Sequence, residues 1–415
     1  MHSLEKIMAN AAGVNEVKAG DRVWCKVDLA LGIDLYRNII DSFEEIGLEK
    51  IQHPERAGFI FGINAPAPTI RSAQNEKDMR EFCKKHGAHI FDINSGVVYQ
   101  HVMEKGYIFP GAVSVANDSH ATVCGALGAF GTGTGGYDTA AAMGFGEMWF
   151  RVPEVIRIEL KGKLQKGVFA KDIVLKILKE LKSDFAIYKA IEYAGEAVTE
   201  MCLAERMVLC NMAVEMGAKT SYIQPDEKVF EFLKGRVNHS YTVFETDSDY
   251  QYCANYVFDV SKLVPQVALP HNVDNVSDII DIEPFAFDQG LIGTCTGGRL
   301  EDLEAAAKIL KGKRVHPDVR MLIVPATYEI YSKAIEKGYI QTFIDAGCVI
   351  CNAGCGPCLG AHMGVLAEGE KCITASNRNF SGRMGHKDSE LYLASPATVA
   401  ASCVEGVLTD PRKYL

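Results

Sequence analysis

Three cysteines in the C-terminal third have the type and spacing for chemistry. Cys295 lies in Gly293-Thr294-Cys295-Thr296-Gly297-Gly298-Arg299, and Cys355 and Cys358 lie in Gly354-Cys355-Gly356-Pro357-Cys358-Leu359-Gly360. Three thiolates can hold three corners of a four-iron cluster and leave the fourth iron without a protein ligand. Such an iron is a Lewis acid rather than an electron wire, so the spacing points to chemistry on a bound substrate.

Other readings of the same cysteines stand beside this one. Cys348, Cys351, Cys355 and Cys358 form a C-x2-C-x3-C-x2-C run, which in isolation reads as a zinc knuckle or part of a ferredoxin-like site. Cys348 and Cys351, however, sit in the apolar run Gly347-Cys348-Val349-Ile350-Cys351, where packing is their expected role. Cys355-Gly356-Pro357-Cys358 also has the form of a redox dithiol, but no tryptophan precedes it. The stretch Gly131-Thr132-Gly133-Thr134-Gly135-Gly136 matches a dinucleotide glycine pattern. No clean strand precedes it and no Gly-Lys-Ser/Thr follows, so close helix packing or a turn beside the substrate is expected instead.

These residues need elements to position them. Apolar strand-like runs alternate with amphipathic helix-like ones, the signature of an α/β protein. Residues 57–62, 88–93, 155–160, 320–325 and 347–351 read as buried strands. Residues 300–311, directly after the Cys295 loop, read as a helix with acids first and lysines last, as the helix dipole prefers. Residues 204–216 read as another helix, carrying Asn211 and Glu215 on one face. Composition shifts near 151–153 and 280–290 divide the chain into 1–152, 153–282 and 283–415. These hold, in turn, the Asp118-Ser119-His120 block, Asn211 with Glu215, and the three cysteines.

Bulk composition narrows the function classes. The chain has 415 residues, enough for several domains, and a formal net charge of −10 that disfavours nucleic acid and anionic membranes. No apolar run reaches the roughly 18 residues that cross a bilayer. The early charges of Met1-His2-Ser3-Leu4-Glu5-Lys6 do not read as a secretory leader. Thirteen cysteines in so long a chain are not a disulfide scaffold. A reducing compartment, the cytoplasm, is expected.

Several blocks together resemble the aconitase superfamily, in particular the large subunits of its isopropylmalate and homoaconitate dehydratases. They are Asn117-Asp118-Ser119-His120, Cys210-Asn211-Met212-Ala213-Val214-Glu215-Met216-Gly217, the two cysteine loops, and Ser376-Asn377-Arg378-Asn379-Phe380-Ser381-Gly382-Arg383. The resemblance implies three α/β/α domains around a [4Fe-4S] cluster held by Cys295, Cys355 and Cys358. It implies that Arg378 and Arg383 grip substrate carboxylates, for which a planar guanidinium is suited. It implies that His120 and Glu215, with Asp118, form an imidazole–carboxylate group beside the reacting hydroxyl. Ser119, Asn211 and Asn377 would add hydrogen bonds. The family's proton-abstracting serine belongs to a swivelling fourth domain that this sequence lacks. A small-subunit partner carrying that domain and serine is therefore implied.

Departures from the family pattern fall in the pocket. Gly62 and Ile63 stand where an Asp-His pair is usual, Tyr99 and Cys124 where histidines are usual, and Ile33 where a polar residue precedes Asp34. The cysteine loop reads Thr296-Gly297-Gly298-Arg299 rather than Thr-Asn-Gly-Arg. A positioned acid or base contributes roughly 10²–10⁴ in rate, so the altered pairs call for a substitute. Tyr99 is the candidate donor, against Asp118, and His101 shares its face if the segment is extended. The apolar replacements predict a substrate less polar than a tricarboxylate.

The leading expectation is thus the large subunit of a cluster-dependent hydro-lyase for a hydroxy polycarboxylic acid, like 3-isopropylmalate dehydratase but with altered substrate. The alternatives are a cluster-binding paralogue without catalysis and an iron–sulfur lyase with sulfur chemistry at the open iron. Retention of the arginines, Glu215 and all three cysteines argues against a dead pocket.

Overall fold

The computed structural model describes residues 1–35 and 37–415. Its core is three predominantly parallel sheets with helices packed against them, and the β-branched and aromatic runs of the sequence supply the strands. A five-stranded parallel sheet runs His89–Phe91, Ala57–Ile60, Leu29–Ile33, Val113–Ala116, Phe130–Gly133 in spatial order. Its central strands Leu29–Ile33, Ala57–Ile60 and Val113–Ala116 are buried at every position, as expected of strands covered on both faces. A four-stranded parallel sheet runs Thr220–Tyr222, Ala190–Ala194, Val155–Lys161, Ala254–Asp259. A seven-stranded sheet runs Val276–Asp278, Gln266–Ala268, Glu390–Leu393, Lys371–Thr374, Gln289–Gly293, Arg320–Val324, Val349–Ile350. Its first two strands join antiparallel and the rest are parallel. They come from residues 266–278, on the far side of the 282/283 division that composition suggests. A separate antiparallel ribbon pairs Arg22–Lys26 with Glu147–Arg151.

Strand order explains where a site forms. In the five-stranded sheet, strands 57–60 and 89–91 lie on one side of strand 29–33, and 113–116 and 130–133 on the other. The chain therefore leaves strands 29–33 and 113–116 in opposite directions and opens a crevice at their carboxyl ends. The seven-stranded sheet has the same reversal between Gln289–Gly293 and Lys371–Thr374. The segments following these four strands carry Asp34, Asn117 to His120, Cys295, and Ser376 to Arg383.

The helix read over 300–311 is observed as Leu300–Leu310, capped by Asp302, whose carboxylate accepts the Arg299 N–H at 2.9 Å. The helix read over 204–216 is interrupted. It runs Leu203–Asn211 and gives way to a 3-10 turn, Met212–Met216. Asn211 and Glu215 are therefore not stacked on one α-helical face. Glycines 131–136 bridge strand Phe130–Gly133 and helix Gly136–Phe145. A Cβ on Gly131 would stand 2.2 Å from Ala121 O and 2.5 Å from the Cys124 Cβ. Close packing, rather than dinucleotide binding, accounts for that glycine.

Candidate active site

Cys295 follows strand Gln289–Gly293 in a single helical turn, Thr294–Gly297. Thr294 takes a left-handed backbone (φ 69°), uncommon for a β-branched residue, and its buried hydroxyl has no partner. Cys355 caps the short turn Gly356–Leu359, which contains Cys358. The Cys355 N–H donates to Gly62 O at 2.7 Å. Gly62 is itself fixed, because the N–H groups of Gly62, Ile63 and Asn64 donate to the Asp34 carboxylate at 3.2, 2.9 and 2.7 Å. Asp34 thus braces the loop of one sheet against the cysteine loop of another.

All three cysteines line one cleft of about 180 Å³ together with Asp118, Ser119, His120, Asn377, Arg378 and Arg383. His120 Nε2 stands 2.9 Å from Glu215 Oε1 and 2.7 Å from Asn377 Nδ2. Its Nδ1 is 3.3 Å from Ser119 Oγ and 3.7 Å from Asp118 Oδ1. As an imidazolium it donates to Glu215. As the neutral Nδ1–H tautomer it accepts from Asn377 instead, so the two neighbours serve its two protonation states. Arg378 Nε donates to both Glu215 oxygens, at 2.8 and 3.0 Å.

Charge follows from this packing. Burial alone would drive the proton off His120, but the Asp118 and Glu215 carboxylates outweigh it and hold its pKa above the ordinary histidine value. Burial raises Glu215, while His120 and Arg378 more than offset that and leave it below the usual carboxylate range. The same balance, with His120 the main counterweight, depresses Asp118.

Asn377 joins this group to the thiols. Its Nδ2 donates to Cys295 Sγ at 3.2 Å, and the Cys358 thiol donates to its Oδ1 at 3.6 Å. The Cys295 thiol reaches Asn211 Oδ1 at 3.6 Å, and Arg383 Nη2 donates to Cys358 Sγ at 3.8 Å. Burial, aided by Cys358, pushes the Cys295 thiol up to about 12, and Cys355 is pushed well above the ordinary thiol value. A bound cationic centre is what would draw thiolates from these groups. Among the described residues, no three His, Cys, Asp or Glu side chains converge as around a single ion. A four-iron cube needs no such convergence, because each thiolate binds a separate iron. Buried donors without partners surround the thiols: Asn211 Nδ2, Thr294 Oγ1 and Arg383 Nε. Cluster sulfides or a substrate carboxylate are the acceptors they lack. The donor set therefore fits the cluster.

Tyr99 is not brought into the cleft. It is 3% exposed within the core, and its hydroxyl has no hydrogen-bond partner. The segment is helical, Val98–Glu104, so His101 does not share its face. His101 instead packs edge-on against Phe91, and burial lowers its pKa to about 4. Cys348 and Cys351 pack in hydrophobic clusters and do not line the cleft. The same cleft is also lined by apolar side chains: Ile33, Leu35, Ile63, Val97 and Leu359. Sequence reading marked Ile33 and Ile63 but missed Leu35, Val97, Leu359 and Thr294. Thr294, flanked by the Gly293 turn and Cys295, was the one with a local signal.

The aconitase family (aconitate hydratase) model matches residues 61–406. The chain belongs to the aconitase family. It is accordingly an enzyme of the hydro-lyase class. It is 49% identical over 413 residues to the 3-isopropylmalate dehydratase large subunit 1 of Methanopyrus kandleri, covering 99% of each chain. A probable methanogen homoaconitase large subunit of Methanothermobacter thermautotrophicus is 44% identical, covering 100% of this chain and 98% of that one. The 3-isopropylmalate dehydratase large subunit of Aquifex aeolicus is 43% identical, covering 98% and 96%. The holo-form crystal structure of Thermococcus kodakaraensis aconitase X is 14% identical with a TM-score of 0.48, covering 93% and 94%. Among the described residues of this aconitase-family chain, no helix is long and apolar enough to cross a membrane.

Proposed function

We propose that this chain is the large subunit of a [4Fe-4S]-dependent hydro-lyase that dehydrates or hydrates a hydroxy acid bearing an alkyl group, close to 3-isopropylmalate dehydratase. The observation that carries this reading is the mixed lining of one cleft. Three thiols, His120, Asn377 and Arg378 share it with the apolar Ile33, Leu35, Ile63, Val97 and Leu359, and His120 and Arg378 are both bonded to Glu215. The guanidinium groups suit carboxylates, and the apolar lining suits hydrocarbon rather than a further carboxylate.

Cys295, Cys355 and Cys358 would hold the cluster, whose open iron supplies a Lewis acid for the hydroxyl. Arg378 and Arg383 orient the substrate through its carboxylates. Ser119, Asn211 and Asn377 supply hydrogen bonds. His120, charged in the presence of Asp118 and Glu215, gives its proton to the departing hydroxyl, and the C–O bond breaks to release water. The carbon-bound proton goes to a base outside this chain, and its electron pair forms the double bond. The relatives' designation as large subunits supports a small-subunit partner, carrying the swivelling domain and its serine, as the source of that base.

The test is anaerobic reconstitution with iron and sulfide, addition of the small subunit, and assay of 3-isopropylmalate, homoaconitate and dialkyl-substituted malates by absorbance of the unsaturated acid. Turnover is expected with an alkyl malate. A full cluster with no turnover of any of them would overturn the reading.

A further inference from the structure

Lys171 lies in the first turn of helix Ala170–Leu181 and is 1% exposed. Both facts are adverse to a cation, since burial strips its hydration and a helix N-terminus is already partially positive. Its partners are two backbone carbonyls, Ala375 O at 3.0 Å and Ser376 O at 2.8 Å. Burial draws its pKa down to about 8, against the opposing pull of Cys295, Asp302, Cys358 and Glu215.

Those carbonyls directly precede Asn377 and Arg378. Thr296 Oγ1, next to Cys295, also donates to Ala375 O at 2.9 Å. Beyond Arg378, Asn379 Nδ2 donates to Leu269 O at 2.8 Å and Asn272 O at 3.2 Å. The segment is therefore pinned at both ends. Between the pins, Asn377 reaches His120 and Cys295, and Arg378 reaches Glu215. The helix that supplies Lys171 packs against helix Leu203–Asn211 and against strands Gln266–Ala268 and Val276–Asp278 of the seven-stranded sheet, and the carbonyls follow another strand of that sheet.

We propose that Lys171 is a positioning residue for the active site, its ammonium holding the Ala375–Ser376 peptide so that Asn377 faces His120 and Arg378 faces Glu215. This rests on the catalytic reading of the cleft. Lys171→Met keeps the volume and removes all three donors. The variant leaves no charge to bury, and Ala375 O keeps its bond from Thr296, while Ser376 O loses its donor.

The first readout is amide hydrogen exchange on the chain alone, without cluster or partner. Exchange over residues 376–380 should be at least tenfold faster in K171M, with strands 29–33, 155–161 and 289–293 unchanged. The second is kinetics of the reconstituted two-subunit enzyme. There K171M should lower kcat and raise KM together, since Asn377 and Arg378 are displaced together, with cluster content kept. If K171M does not fold, Lys171→Gln, which keeps one donor group, should show the same exchange pattern to a smaller degree. Unchanged exchange over 376–380 overturns the proposal, as does failure of both variants to fold, which would make Lys171 a folding residue only. A wild-type enzyme without turnover would undo the substrate reading and leave the exchange result standing.

Discussion

His120 concentrates the site's proton chemistry, because two carboxylates and one amide compete for its ring. Its raised pKa means that its charged form stabilises the fold fully below the ordinary histidine value of about 6.5. That contribution is lost as pH rises through the raised folded value. Glu215→Gln removes one of the two carboxylates, so the alkaline limb of the kcat profile should move to lower pH, together with the His120 NMR titration. An unmoved limb would exclude Glu215 as the group that holds the proton. Tyr99→Phe should leave turnover unchanged and stability equal or higher, because the deleted hydroxyl is buried and unpartnered. A fall in kcat with an unchanged thermal transition would restore Tyr99 as a donor. The cysteines and arginines of the cleft were legible because residue type and loop context mark them. The burial of Tyr99 was not legible, because residue type says nothing of whether a hydroxyl points into a cavity or into the core.

At the scale of elements, the bracing of one loop by another matters most. A Cβ on Gly62 would stand 2.1 Å from the backbone oxygen of Gly96, so any side chain there must move backbone. Gly62→Ala should therefore displace the carbonyl that holds the Cys355 N–H. Iron and sulfide per chain after reconstitution should fall by half or more while far-UV circular dichroism is kept. Full cluster content in the variant would show that the brace is dispensable. The clash also explains why the aspartate usual at this position has no room in this backbone. Strands 57–60 and 320–324 were legible because short apolar runs admit little else, and 155–161 because Ile156, Ile158 and Leu160 alternate with Arg157, Glu159 and Lys161. The break after Asn211 was not, because Met212 to Met216 keep helical composition, and only tertiary contacts turn Glu215 toward His120.

For the whole molecule, the cleft is where three sheets meet. Asp118 and His120 follow the five-stranded sheet, Glu215 precedes a strand of the four-stranded one, and the cysteines and arginines follow strands of the seven-stranded one. A group bound by the thiols would bind the folded chain and not the unfolded one. At about a thousand times its dissociation constant, such a ligand contributes about 4 kcal/mol. At roughly 1 °C per kcal/mol for a chain this long, the melting temperature should fall by about 5 °C when the cluster is removed anaerobically with a chelator. Unchanged melting would mean that the three cysteines do not hold a group that couples to the fold.

The strand-order reversals have a practical consequence for redesign. Ile33, Leu35 and Val97 lie on segments that carry none of the three cysteines, whereas Leu359 adjoins Cys358 and Ile63 belongs to the loop that holds the Cys355 N–H. A combinatorial library at residues 33, 35 and 97 could therefore be screened for new substrate scope without altering the cysteine turns.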